Sequence, residues 1–154
     1  MSLNTRIEHV VCLMMENQSF DRVLGFVDGV GTLDGTQYAV NSSEEKVFVR
    51  KGADPIKNQQ YDPPHSFAAT VGQLFGPDGY RGEAPAGKWF LSAPFPNSDT
   101  DAEREFMRFF DSDNMQLPAI TTLAQNFITC DRWFSSVPGP TGPNRLFIHA
   151  ATSG

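Results

Sequence analysis

Ile7-Glu8-His9-Val10-Val11-Cys12-Leu13-Met14-Met15 is the stretch on which the fold turns. From Val10 onward it is apolar without alternation, the pattern of a short strand covered on both faces, as in the parallel sheets of α/β proteins. The run stops at Glu16-Asn17, an acid and an amide placed where open α/β sheets gather ligands, beyond the carboxyl end of a strand. Both side chains offer oxygen, and a carboxylate beside an amide carbonyl suits a hard divalent cation. The same residues also lead into a helix over Phe20-Asp21-Arg22-Val23-Leu24, with Asn17 and Ser19 as capping candidates and Gly25 as its end. Capping and ligation are compatible, and both readings stand.

At the other end of the chain, Pro138-Gly139-Pro140-Thr141-Gly142-Pro143-Asn144-Arg145 presents one hydroxyl, that of Thr141, among residues that fix some φ angles and free others. The composition predicts a pre-shaped turn rather than a helix or strand. Arg145 adds a permanent cation whose planar fork fits phosphate. The competing reading is an ordinary Pro/Gly-rich connection with a surface arginine. Phe127-Ile128-Thr129-Cys130 reads as the strand that delivers this turn. Cys12 and Cys130 have neither metal-ligand nor disulfide spacing. They are expected to be buried free thiols on neighbouring strands, an arrangement that would bring Glu16 and Thr141 to one sheet edge.

Between these ends, the glycine-rich Gly29–Gly35 stretch has the wrong spacing for a dinucleotide loop and reads as a turn. Residues 38–41 and 46–50 alternate like two short antiparallel strands around a polar loop, a hairpin. Ser66 to Phe75 is spaced as a helix, which sets His65 at a helix N-terminus, where the dipole favours an anion. A lone histidine there is more often a structural or exposed group than a catalytic one. Residues 76–96 are dense in Gly, Pro and aromatics and read as an irregular loop carrying Trp89 and Phe90 at the border of a pocket. Asp99-Thr100-Asp101-Ala102-Glu103 lacks the glycine and distal glutamate of a calcium loop, so it reads as the cap of a helix over 102–110 that buries Phe106, Phe109 and Phe110. Residues 117–126 form a further helix with Pro118 in its first turn.

The 154 residues are enough for one core, and the balance of 18 acidic against 12 basic residues disfavours nucleic acid, since no Lys/Arg cluster exists to displace counterions. No apolar run has the length of a membrane span, and the N-terminus has no basic region followed by an apolar core, so no signal peptide is expected in this chain.

The string from Val10 to Gly25, with Glu16-Asn17-Gln18-Ser19-Phe20-Asp21-Arg22 at its centre, closely resembles the opening motif of the bacterial phosphoesterase family that contains phospholipases C and certain acid phosphatases. Residues 123–145 resemble the same family's nucleophile segment, and Asp62-Pro63-Pro64-His65-Ser66-Phe67 resembles its Pro-His element. The resemblance implies an alkaline-phosphatase-like α/β fold, a sheet with flanking helices, and a metal-assisted hydroxyl nucleophile acting on phosphorus. It further implies Glu16, Asn17 and Thr141 as ligands of a divalent metal, Thr141 as nucleophile, and His65 as proton donor or phosphate hydrogen-bond donor. Asn144 and Arg145 would hold the loop or bind the anion. Members of the family are often exported, which leaves localisation undetermined.

Members of that family also run for several hundred residues, and their later half supplies further acidic ligands and histidines. Here only His149 follows Arg145 as an imidazole, and no carboxylate follows at all. Residues 1–154 are therefore expected to be the N-terminal part of one phosphoesterase domain, with a half-sheet whose uncovered edge invites self-association. Two functions follow from this reading. One is phosphoester hydrolysis, of phospholipids or phosphomonoesters, complete in a longer parent protein. The other is a truncated, non-catalytic relative that binds an anion or a partner.

Overall fold

In the computed structural model, which describes residues 8–15, 18–58, 63–76, 88–90, 100–113 and 116–153, the first regular element is α1 (Phe20–Leu24). Ser19 caps it as expected, its Oγ accepting from Arg22 N at 3.2 Å. Gly25 closes it through a hydrogen bond from its N–H to Asp21 O at 2.8 Å. The glycine-rich stretch then folds back on this helix end: Val30 and Gly31 N–H donate to Val27 O, and Leu33 N–H donates to Gly25 O. A β-carbon on Gly31 would collide with the Gly25 carbonyl, so the turn requires glycine at that position.

The predicted hairpin is present. Strands β1 (Tyr38–Val40) and β2 (Lys46–Phe48) pair antiparallel with Ala39 opposite Val47. Asn41 shapes the loop between them, its Oδ1 accepting from Ser43 N at 3.0 Å and from Glu45 N at 2.9 Å. The extended segment then changes sheets. Val49 N–H still bonds Gln37 O, but Arg50 N–H bonds Met107 O, and β3 (Arg50–Lys51) pairs parallel with β5 (Arg108–Phe109). On the other side of β1, β4 (Lys88–Phe90) pairs parallel, giving one sheet of order β2-β1-β4 and a second of β3-β5.

Two expectations are corrected here. Residues 88–90, read as irregular loop, are a strand, because the second edge of β1 offers backbone groups to a segment of aromatic β-formers. The helix expected over 102–110 is α4 (Thr100–Phe106) followed by β5. Met107 N–H closes the last helical turn on Glu103 O, after which the Arg50–Lys51 edge captures the chain. Tertiary pairing here overrides a helical apolar spacing. The remaining helices are α2 (Pro55–Asn58), α3 (Phe67–Phe75), α5 (Pro118–Asn126) with proline at its start, and α6 (Thr141–Ala150).

The core lies between the hairpin and the second sheet: Phe26, Ala39, Val47, Val49, Met107 and Phe109, flanked by Leu33 and Phe106. Each large side chain buried there contributes on the order of 1.5–3 kcal/mol. Arg22 is buried beside it. Its Nη1 donates to Phe106 O at 2.8 Å, its guanidinium lies 4.9 Å from the Phe106 ring centroid and 5.6 Å from that of Phe109, and its backbone carbonyl accepts from Phe110 N. Burial pushes this guanidinium below its ordinary range, and nearby Glu105 partly offsets the effect.

The largest correction concerns the two chain ends. The described part of the first apolar run, residues 8–15, is not in a strand, and neither are residues 127–130. Val10, Val11, Leu13, Met15, Phe127 and Ile128 are exposed, and Cys12 and Cys130 are exposed free thiols rather than buried neighbours. A strand requires a partner for its backbone, and among the described residues both sheets are built from segments 38–51, 88–90 and 108–109, with no pairing to either end. The mixture of helices and small sheets with parallel pairs is consistent with the α/β class. No helix among the described residues is long and apolar enough to cross a membrane.

Candidate active site

Thr141 is the first residue of α6 rather than a residue inside an irregular turn. The preceding residue, Pro140, is the N-cap with an extended ψ of 171°, and no side chain caps the helix. Proline supplies no N–H at Pro140 or at Pro143, so of the donors a helix start leaves free, those of Thr141 and Gly142 remain, both beside the threonine hydroxyl. A β-carbon on Gly142 would meet nothing within 4 Å, so the approach to this first turn is open. Proline at the third helical position removes a donor that no intrahelical partner would have used, which is why a proline-rich stretch continues here as a helix.

Asn144 fastens the turn to the helix. Its Oδ1 accepts from Val137 N at 3.2 Å, and its Nδ2 donates to the carbonyls of Val137 (3.1 Å), Gly139 (3.3 Å) and Pro140 (3.1 Å). Of the two roles the sequence leaves open for Asn144, loop-holding is the one these hydrogen bonds perform. Arg145 is half-buried and sits four residues after Thr141, on the same helix face.

His65 is exposed and stands directly before Ser66, the N-cap of α3, whose Oγ accepts from Ala69 N. Its Nδ1 lies 3.3 Å from Pro63 O. A carbonyl only accepts, so that hydrogen bond places the proton on Nδ1 and leaves Nε2 as the basic nitrogen of the neutral ring. Gln73 Nε2 donates to Pro64 O at 2.7 Å and ties the Pro-His segment to its helix. The two sequence elements meet through the backbone: a β-carbon on Gly139 would lie 3.9 Å from Phe67 N and Cα, ordinary contact. The N-termini of α3 and α6 are thus neighbours, two residues on from His65 and from Gly139 respectively.

Glu16 and Asn17 lie outside the described residues. Among the described residues, no group of three or more His, Cys, Asp or Glu side chains is placed to hold one ion. The described residues alone therefore do not fit a divalent metal. Sequence reasoning also missed a cleft of about 540 Å³ lined by Asp28, Gly29, Val30, Gln125, Thr129 and Asp131. It joins the turn after α1 to the end of α5, a long-range contact that no local pattern announces.

A chain with a hydroxyl and two free amides at an open helix start, beside a histidine at a second helix start, has the polar groups of an anion-handling hydrolase. It belongs to the Phosphoesterase family, whose model matches residues 7–154. The chain is 34% identical to the non-specific phospholipase C3 of Arabidopsis thaliana, over 96% of this chain and 30% of that protein. It is 32% identical to phospholipase C B of Mycobacterium tuberculosis, over 96% of this chain and 30% of the relative. To the hemolytic phospholipase C of Pseudomonas aeruginosa it is 26% identical, over 92% and 18%. The chain thus spans less than a third of the length of these relatives. No solved structure matches it.

Proposed function

We propose that this chain supplies the N-terminal part of a metal-dependent phosphoesterase of alkaline-phosphatase-like fold, with Thr141 as nucleophile. The hydrolysis would be of phospholipase C or acid phosphatase type, complete in a longer protein. What carries the reading is the meeting of the Pro-His segment with the threonine turn through Gly139 and Phe67. Family membership and the names of the relatives support phosphate esters, phospholipids included, as the substrate class.

In this reading the Thr141 hydroxyl gives its proton to water as its oxygen attacks phosphorus, the bond to the leaving alkoxide breaks, and a proton that the basic His65 Nε2 has taken up from solvent beforehand goes to that alkoxide. Water then hydrolyses the phospho-threonine. The amides of Thr141 and Gly142 and the guanidinium of Arg145 bind phosphoryl oxygens, while Asn144 keeps the turn in shape or assists in anion binding. A divalent cation on Glu16, Asn17 and Thr141 belongs to the proposal through the family resemblance, and when bound it would supply positive charge at the phosphoryl group.

Hydrolysis of p-nitrophenyl phosphate and p-nitrophenylphosphorylcholine by the longer protein tests this. Thr141→Ala is expected to lower kcat by roughly 10³-fold or more, and His65→Gln by about 10²-fold or more. Full activity in Thr141→Ala overturns the assignment.

A second reading, for the 154-residue chain by itself, is a non-catalytic module that binds an anion or a partner; the Thr141 and Gly142 amides at the open start of α6 suit an anion with or without turnover. Phosphate binding at the Thr141 and Gly142 amides without turnover or metal uptake would select it.

A further inference from the structure

We propose that Phe67 is a specificity-determining residue of the candidate site, its ring receiving the apolar alcohol side of a phospholipid. The inference rests on the reading of Thr141 as nucleophile and His65 as proton donor, and it selects the lipid ester from the two ester types which that reading allows. Phe67 is 61% exposed, although it opens a helix whose later apolar residues, Val71, Leu74 and Phe75, are each half-buried. A single exposed aromatic needs no explanation by itself. The place of this one does. The backbone N and Cα of Phe67 are the atoms that a β-carbon on Gly139 would meet, at 3.9 Å, two residues before Thr141.

Helix geometry sets the direction of both side chains. In an α-helix each Cα–Cβ bond tilts toward the N-terminus, so a side chain at the first position leans out past the helix start. Phe67 is the first residue of α3 and Thr141 the first of α6, so ring and hydroxyl both lean toward the ends at which the two helices adjoin. The chemistry then fixes which part of the ester each one meets. Phosphorus stays on the threonine oxygen with the head group attached, beside the amides of Thr141 and Gly142. The bond that breaks frees an alkoxide, and its proton comes from His65, two residues before Phe67. The leaving alcohol is therefore on the α3 side, and whatever that alcohol carries extends from there. A small polar alcohol gains nothing from a phenyl ring, whereas acyl chains and the ring leave water together when they touch.

The test gives the longer protein two substrates with the same head group and the same phosphorus. One is dihexanoylphosphatidylcholine below its micellar concentration; the other is sn-glycero-3-phosphocholine, which lacks the acyl chains. In Phe67→Ala, kcat/KM for the lipid is expected to fall about tenfold or more, mostly through KM, while glycerophosphocholine turnover stays within about twofold. Phe67→Leu, which keeps an apolar side chain, should restore most of the lipid rate. An equal loss on both substrates, as from a merely structural residue, overturns the proposal, and so does an unchanged ratio between them. Thr141→Ala separates this assignment from the reading beneath it. Where Thr141→Ala abolishes turnover and Phe67→Ala leaves the ratio unchanged, the specificity assignment fails alone. Where Thr141→Ala stays active, or the unsubstituted protein turns over neither substrate, the nucleophile reading fails and the assignment with it.

Discussion

Asn144 uses both ends of its amide on the turn before α6, one oxygen on Val137 N–H and one NH₂ group among three carbonyls. That division makes a sharp prediction about chemistry rather than size. Asn144→Ala removes the fastening and is expected to lower stability by about 1–3 kcal/mol, read by urea denaturation. Asn144→Asp should be worse than alanine, because a carboxylate would then face the carbonyls of Val137, Gly139 and Pro140 with no proton to offer. Asp21 gives a pH-dependent case. Burial raises its carboxyl above the ordinary 3.8, so the folded state releases this proton at higher pH than the unfolded chain. Stability is therefore lost as pH rises from the unfolded value through the raised folded value, and stays at that lower level above it. Asp21→Asn should melt higher than the parent at about pH 7 and equally at about pH 3, in thermal scans across that range. At this scale the sequence was partly legible. Ser19 as a cap could be read from type and position. The burial of Arg22 could not, since the Phe106 carbonyl and two rings that hold it come from 84 residues away or more.

A buried side-chain pair links the hairpin to α4. Asn41 Nδ2 donates to Glu103 Oε2 at 2.9 Å, and Glu103 is among the most buried polar side chains described. Asn41→Leu would take away the loop's acceptor for Ser43 and Glu45 N–H and leave the Glu103 carboxylate buried without that donor. A loss of about 2–4 kcal/mol is expected, with Asn41→Leu/Glu103→Leu recovering part of it in a double-mutant cycle. Phe109→Ala, which empties the middle of the core, should cost about 3–5 kcal/mol by the same measurement. The hairpin was legible because alternation and a polar loop are local signals, and α3 and α5 because apolar spacing and a capping residue or leading proline sit within one turn. Residues 107–110 were not, because their fate depends on a strand edge supplied by Arg50–Lys51 far back in the chain. The apolar ends failed for the complementary reason: their pattern asks for a sheet, and no partner strand reaches them among the described residues.

For the molecule as a whole, the two exposed thiols report on the bare ends. Cys12 and Cys130 are the only cysteines in the sequence, and both should react with Ellman's reagent without denaturant in the isolated chain. Slow reaction would contradict the exposure of segments 8–15 and 127–130. The candidate site divides in the same way: the threonine turn and the Pro-His segment approach each other at Gly139 and Phe67, whereas the carboxylate-amide pair, Glu16 and Asn17, lies outside the described residues. The passage of a single extended segment from the first sheet to the second, at Val49, has a consequence for how the structure comes apart. Pulling either sheet open tugs on the other through the single residue that joins β2 to β3, so the two are expected to melt together. Heat or denaturant should erase both in one transition, and a valine-to-glycine change at that crossing should blur the transition before it lowers it.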